Sequence, residues 1–275
     1  MHLDWVSERP VPLDRGGPSN RPFDAIDEAW LARDMVARFE HICARFPDRI
    51  AVDDGEIALT YAELRTRAWA LAGELAGQGG PTQPIAAIIP GTALYPIALL
   101  ACLAAGRPLT PVDVTHPLPR RAAILAEAQP KLALVAEGQG LEPGLLADDV
   151  PRLVISARSP LPTAPLTPPG AVDPEALAGI AFTSGSTGRA KGLAYRQRDI
   201  FLVVAEHVNS LHINEEDVIL SLASLGAGGN LVVIREPDKR IIVKDKGRLV
   251  IQNDQFHGRA GHGQYLRRGL SQYLV

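Results

Sequence analysis

Apolar positions near the start of the chain recur first at helical and then at alternating spacing. Val36, Phe39, Ile42, Cys43 and Phe46 share one face of a helix that Pro47 ends. Two short apolar runs, Ile50 to Val52 and Ile57 to Leu59, flank Asp53-Asp54-Gly55-Glu56, which predicts a hairpin. Thr60 stands three residues before Glu63, a capping box for a helix carrying Leu64, Trp69, Leu71 and Leu75, with Trp69 read as ordinary core packing. Strands and helices then alternate: Ile85 to Ile89, a helix from about Tyr95 to Ala105, an extended Leu109 to Val112, a helix over about 118–128, and a strand Leu132 to Val135. This rhythm predicts an α/β fold of layered parallel or mixed sheets with flanking helices.

A second alternation begins at Leu153 to Ile155. Five prolines between Pro160 and Pro169 then mark an extended, exposed segment. Ala178 to Phe182 reads as a buried strand feeding TSGSTGRAKG, after which Asp199 caps a helix through about Leu211 and Val218 to Leu222 forms another strand. No repeat of fixed period is present. Residues 75–106 lack Asp, Glu, Lys and Arg, long enough to suggest a membrane span of roughly 20 residues. Pro90-Gly91 and Pro96 interrupt that stretch, so a buried strand, a turn and a core helix are expected, with no membrane partner.

Composition narrows the class. The 275 residues are 46% hydrophobic, with 28 Lys+Arg against 31 Asp+Glu and a net charge of -3. That balance excludes a disordered acidic tail and a strongly basic clamp, so no nucleic-acid partner is expected. Cys43 and Cys102 make neither a disulfide framework nor a four-ligand metal site, which suits a reducing, cytoplasmic setting. The first residues lack the apolar run of a secretory signal. Residues 1–24, rich in Pro and Gly, read as a flexible lead-in. Composition changes again near Asn230: residues 231–275 carry +5 and residues 1–230 carry -8. Within this basic tail RIIVKDKGRLVIQ predicts a hairpin turning at Lys-Asp-Lys-Gly, and His257 with His262, lacking a companion Cys, makes no zinc pair.

The chemistry lies in Thr183-Ser184-Gly185-Ser186-Thr187-Gly188-Arg189-Ala190-Lys191-Gly192. Its glycines let backbone amides approach an anion, its hydroxyls add neutral donors, and Lys191 adds a mobile positive charge. The residues between Phe182 and Leu193 are therefore expected to curl into a phosphate nest, with Thr183, Ser184, Gly185, Ser186, Thr187, Gly188, Lys191 and Gly192 as binding residues. A Walker A loop counted from Gly185 fails at Ala190 and Gly192, and a Gly-x-Gly-x-x-Gly fingerprint is absent. A Ser/Gly-rich surface linker is the competing reading; the tight placement behind Gly179 to Phe182 and the Lys-Gly closure weigh against it.

This segment resembles the phosphate-binding signature of the acyl-adenylate-forming (AMP-binding) superfamily, departing from it in having Ala190 where proline is usual. FEHICARFPDRIAV (39–52) and Leu59-Thr60-Tyr61-Ala62-Glu63-Leu64 resemble the opening of amino-acid adenylation domains. AAGRPLTPVDVTHPLPRRAAILAEAQPKLAL (104–134) resembles their second signature, a Gly-x-x-x-x-Pro-x-Asp segment followed by a helix and a Gln-Pro-Lys strand. Three signatures in order, from about Phe39 to Leu225, are most similar to the nonribosomal peptide synthetase type.

The resemblance implies an ATP-dependent reaction in which a carboxylic or amino acid attacks the α-phosphate and pyrophosphate leaves. The acyl-adenylate then passes to a carrier-protein or coenzyme A thiol. It also implies that the loop holds the β- and γ-phosphates, with Mg2+ balancing their charge. Later family segments, including the pocket aspartate, the ribose contact, the hinge and the C-terminal lysine domain, have no counterpart after Ser224. The expectation is an incomplete N-terminal domain of an adenylate-forming enzyme: a lead-in at 1–24, a partial adenylation unit at 25–230 and a divergent basic tail at 231–275. Little activity is expected alone, and catalytic residues and acid substrate stay unassigned. A catalytically silent nucleotide-binding or interaction remnant is the alternative, and the missing C-terminal part is a further expected partner.

Overall fold

The computed structural model describes residues 22–162, 166, 170–184, 190–221, 225, 231–234, 241–244 and 248–251. The chain opens with α1 (Glu28–Leu31), α2 (Met35–Arg45), β1 (Ile50–Asp53), β2 (Ala58–Thr60) and α3 (Tyr61–Ala76). Asp27 and Asp34 cap the two first helices, accepting from the amides of Trp30 and Ala37. β1 and β2 form the expected antiparallel hairpin, and Asp54 Oδ1 builds its turn by accepting from the amides of Glu56 and Ile57 at 3.0 and 2.8 Å. The capping box is present: Glu63 N–H donates to Thr60 Oγ1 at 3.2 Å and Thr60 N–H donates to Glu63 Oε2 at 2.9 Å. Trp69 is buried in the core as expected, and its Nε1–H donates to Glu40.

Next come β3 (Ile85–Ile89), α4 (Leu94–Ala104), β4 (Leu109–Asp113), α5 (Leu118–Ala128), β5 (Leu132–Ala136), β6 (Arg152–Ile155), β7 (Leu177–Ser184) and β8 (Ala190–Arg196). They build a six-stranded sheet in the order β6-β5-β3-β4-β7-β8, parallel except for the antiparallel β7–β8 pair. Every residue of β3, β4 and β5 is buried, as a parallel sheet covered on both faces requires. Alternation sorts their side chains. Ile85, Ala87 and Ile89 pack with residues of α2, α3 and α4, while Ala86 and Ile88 pack with Ile124 and Leu125 of α5. The charge-free stretch is thus β3 and α4 at the centre of the fold, and among the described residues no helix is long and apolar enough to cross a membrane.

Two expectations change at α6 (Gln197–Leu211). Its N-cap is Arg196, because β8 runs straight into the helix; Asp199 acts from the third helical position, accepting from the Arg196 amide at 2.8 Å. The end of the supposed flexible lead-in is also tied down. Asn214 Nδ2–H donates to the Pro22 carbonyl, Phe23 stacks on His212 at 4.3 Å, and Asp24 accepts from Arg38 and Arg45. Asn209 then clamps Ile26, accepting from its N–H at 2.9 Å and donating to its C=O at 2.8 Å. Residues 1–21 lie outside the described residues.

Beyond α6, β9 (Val218–Ser221) pairs antiparallel with β10 (Leu231–Ile234), and β11 (Ile241–Lys244) with β12 (Arg248–Ile251). The basic hairpin is therefore present with Lys244 opposite Arg248; its connection 245–247, and His257 and His262, lie outside the described residues. In the proline-rich segment Pro160, Leu161 and Pro162 are exposed as expected, while 163–165 and 167–169 lie outside the description.

Candidate phosphate-binding site

Packing sets the course of β7. Ala178 belongs to the apolar cluster of α2, α3 and α4, whereas Ile180 and Phe182 face that of α5. Gly179 lies where β4 and β8 crowd the strand: a Cβ there would sit 2.7 Å from the Leu109 carbonyl oxygen and against the Tyr195 phenol. Leu109, the first residue of β4, and Gly179, near the start of β7, are also the registered pair between these parallel strands. In sheets of this kind ligands bind outside the carboxyl ends, where strand order reverses. Here β4 and β5 flank β3 on opposite sides, and β7 adds beyond β4.

The motif joins β7 to β8. Thr183 pairs with Lys191 and Ser184 with Ala190, and Phe182 lies opposite Gly192. Thr183 and Ser184 thus close β7, while Lys191 and Gly192 lie exposed on β8. Gly185, Ser186, Thr187 and Gly188, with Arg189, lie outside the described residues. The curl expected from Phe182 to Leu193 does not extend to Thr183, Ser184, Ala190, Lys191 or Gly192, because these residues take part in an antiparallel ladder. β8 itself was not anticipated, since Ala190 to Arg196 mixes small, charged and aromatic residues without clean alternation.

Two polar groups from the β4–α5 corner meet this end of the sheet, and neither was among the expected binding residues. Arg120 Nη2–H donates to the Phe182 carbonyl at 2.8 Å. Asp113, closing β4, accepts through Oδ1 from the Thr115 amide and hydroxyl at 2.9 and 2.7 Å and through Oδ2 from the Leu225 amide at 3.2 Å. Asp113 is the last position of the Gly-x-x-x-x-Pro-x-Asp spacing, which was the available signal. Next to Arg120, Arg121 is engaged elsewhere, donating to both Glu142 carboxylate oxygens and to the His116 carbonyl.

Burial pushes the thiols of Cys43 and Cys102 up to about 12, leaving both as inert packing groups. Burial likewise pushes the Tyr61 and Tyr195 phenols up to about 12. Among the described residues no three His, Cys, Asp or Glu side chains come together as a metal site. A magnesium ion accompanying a nucleotide is commonly held by phosphate oxygens and water with one or two protein ligands.

Several known proteins are similar to this chain in sequence or fold. The chain is 36% identical over 207 residues to chondramide synthase of Chondromyces crocatus, a match covering 71% of this chain and 5% of that protein. It is 32% identical over 183 residues to nonribosomal peptide synthetase 7 of Gibberella zeae, covering 65% of this chain and 4% of the relative. The chain therefore spans a small part of the curated relatives it matches. Among solved structures, the nonribosomal peptide synthetase FmoA3 (S1046A) superposes with a TM-score of 0.60 at 25% identity, covering 75% of this chain and 21% of that one. A match to the AMP-binding enzyme family runs over residues 39–234, more than half of the sequence, and the chain belongs to that family.

Proposed function

We propose that residues 25–230 form the nucleotide-holding part of an ATP-dependent carboxylic-acid adenylation unit, with 1–24 as lead-in and 231–275 as a basic tail. An amino acid is the favoured acid, as the nonribosomal peptide synthetase relatives suggest. In this reading Thr183, Ser184, Gly185, Ser186, Thr187, Gly188, Lys191 and Gly192 hold the β- and γ-phosphates of ATP. Mg2+ would arrive on the phosphate oxygens and offset their charge. Oriented amide and hydroxyl donors, with the Lys191 ammonium, then stabilise charge as it spreads onto the departing pyrophosphate. A carrier protein and the later portion of an adenylation enzyme would complete the reaction.

One observation carries the reading: the hydroxyl- and glycine-rich segment connects β7 to β8 just after Phe182, whose carbonyl accepts from Arg120 of α5, the helix that follows β4. Titration calorimetry with ATP tests it. Binding is expected, and Lys191→Ala should weaken it about tenfold by removing one charge-assisted contact. An unchanged affinity in that variant would sink the assignment. ATP–pyrophosphate exchange over a panel of amino and aryl acids tests the second half. Little acid-stimulated exchange is expected from this chain alone, which leaves the fragment reading intact; no detectable ATP binding would favour a catalytically silent remnant.

A further inference from the structure

We propose that the outer edge of β6 and the groove between β6 and α3 bind a short extended peptide of a partner protein, one that ends in a free carboxyl group and carries a basic residue three positions before its last. The site lies at the opposite edge of the sheet from β8 and does not rest on the phosphate reading. β6 is the terminal strand, and the Pro151 and Ile155 carbonyls accept from the amides of Ala133 and Glu137 at 3.0 and 2.9 Å. Alternate residues thus serve the β5 ladder. Between them, Arg152 and Val154 turn their N–H and C=O groups outward, and Val154 is 63% exposed. A four-residue edge of this kind is too short to recruit another sheet, but it can add an extended peptide through main-chain hydrogen bonds.

The groove selects the peptide. Its volume is about 280 Å3, and its lining includes Arg67, Leu71 and Glu74 of α3, Ile97 of α4, Val154 and Ser159. Leu71 and Ile97 are buried and give it an apolar floor. Arg67 marks one end: its Nη1–H donates to the Ser159 carbonyl at 2.6 Å, just past β6, while its Nε is buried with no hydrogen-bond partner. Burial disfavours the Arg67 charge and lowers its pKa, although Glu63 acts in the opposite sense; an incoming carboxylate would offset that cost. The exposed Glu74 stands two turns further on, about 10 Å along the helix axis. Arg107, just before β4, donates to the Gln78 carbonyl just after α3, so the helix ends beside the amino ends of the strands and Glu74 lies toward the start of β6. Three residues of extended chain cover about the same distance. A strand laid parallel to β6 therefore puts its carboxylate on Arg67 and a basic side chain three residues earlier on Glu74.

Fluorescence anisotropy of the full chain with a labelled hexapeptide, Ser-Gly-Lys-Val-Thr-Val with a free carboxyl terminus, tests the site. Saturable binding is expected, and amidating the peptide's terminus or replacing its Lys by Glu should each raise the Kd about tenfold. Arg67→Met should bind the free acid as weakly as the parent binds the amide, and Glu74→Lys should turn the preference toward the Glu-containing peptide. Val154→Pro removes one outward N–H, spares the β5 ladder, and should abolish binding while thermal unfolding stays cooperative. Charge attraction alone would survive that change. Equal binding of the free-acid and amidated peptides, undiminished binding by Val154→Pro, or no saturation by about 1 mM free-acid peptide would each overturn the proposal. Should Arg67→Met or Val154→Pro fail to fold, the amidated peptide and one N-methylated along its backbone remove the same contacts from the ligand side.

Discussion

The central strands and the β7–β8 hairpin belong to one sheet but are built for different ends. β3, β4 and β5 are parallel and wholly buried, and their side chains divide between two helical layers. β8 is an antiparallel edge strand on which Lys191, Gly192, Leu193 and Ala194 are exposed, Leu193 by 64%. A strand buried on both faces is held by many dispersion contacts and opens only with the whole domain. An exposed edge strand can present backbone and charge to a ligand. The candidate chemistry lies on the second kind of element, where Gly179 packs against the Leu109 carbonyl of β4 and the Phe182 carbonyl accepts from Arg120 of α5.

The contrast is most exposed to failure in the core. Ile88→Ala removes a fully buried side chain from the layer against α5 and should cost about 3 kcal/mol in denaturant unfolding. Leu193→Ser on the edge should change stability by less than about 0.5 kcal/mol. Similar losses in both variants would show that the hairpin is as deeply integrated as the centre. At the junction, Gly179→Ala should cost about 2 kcal/mol, because its Cβ meets both the Tyr195 phenol and the Leu109 carbonyl at 2.7 Å. Adding Tyr195→Phe should recover little of that loss, since the backbone oxygen remains. Full recovery would move the crowding from β4 to β8.

The same division explains what the sequence disclosed. β3 was legible because a continuous apolar run bounded by Pro84 and Pro90 is what a strand buried on both faces looks like. The hairpin β1–β2 and the Thr60–Glu63 box were legible because their determinants sit within a few residues of each other. β8 was not, since Lys191 to Ala194 are exposed in succession and show no period of two. α1 escaped for a similar reason, being a four-residue helix below the length at which periodicity speaks. The motif announced its chemistry through residue types alone, but Arg120 acts on a carbonyl 62 positions away and Asp113 on an amide 112 positions away. Ile26 and Asn209 join residues before α1 to α6 in the same long-range manner.

A smaller effect tests whether the first layer of helices is set locally. Thr60→Ala deletes the acceptor for the Glu63 amide at the start of α3 and should cost about 1 kcal/mol. Thr60→Ser should restore most of it, because only the oxygen is used. A null result would mean that tertiary packing of Leu64, Trp69 and Leu75, all buried, determines where α3 begins without help from its cap.

The smallest effect separates the two adjacent arginines. Hydrogen bonding from Arg121 holds the Glu142 carboxyl below its ordinary value of 4.5. The folded chain therefore binds this proton less readily than the unfolded one, so the pair's contribution is complete above the ordinary carboxylate range and is lost as pH falls through and below it. Glu142 is 41% exposed, so salt screening keeps the contribution modest. Glu142→Gln should flatten the acid limb of a melting-temperature profile against pH and leave ATP affinity at neutral pH unchanged. Loss of affinity in that variant would mean that the Arg121 anchor and the Arg120 reach are one coupled device rather than two neighbouring ones. The corner would then answer to acid as well as to nucleotide.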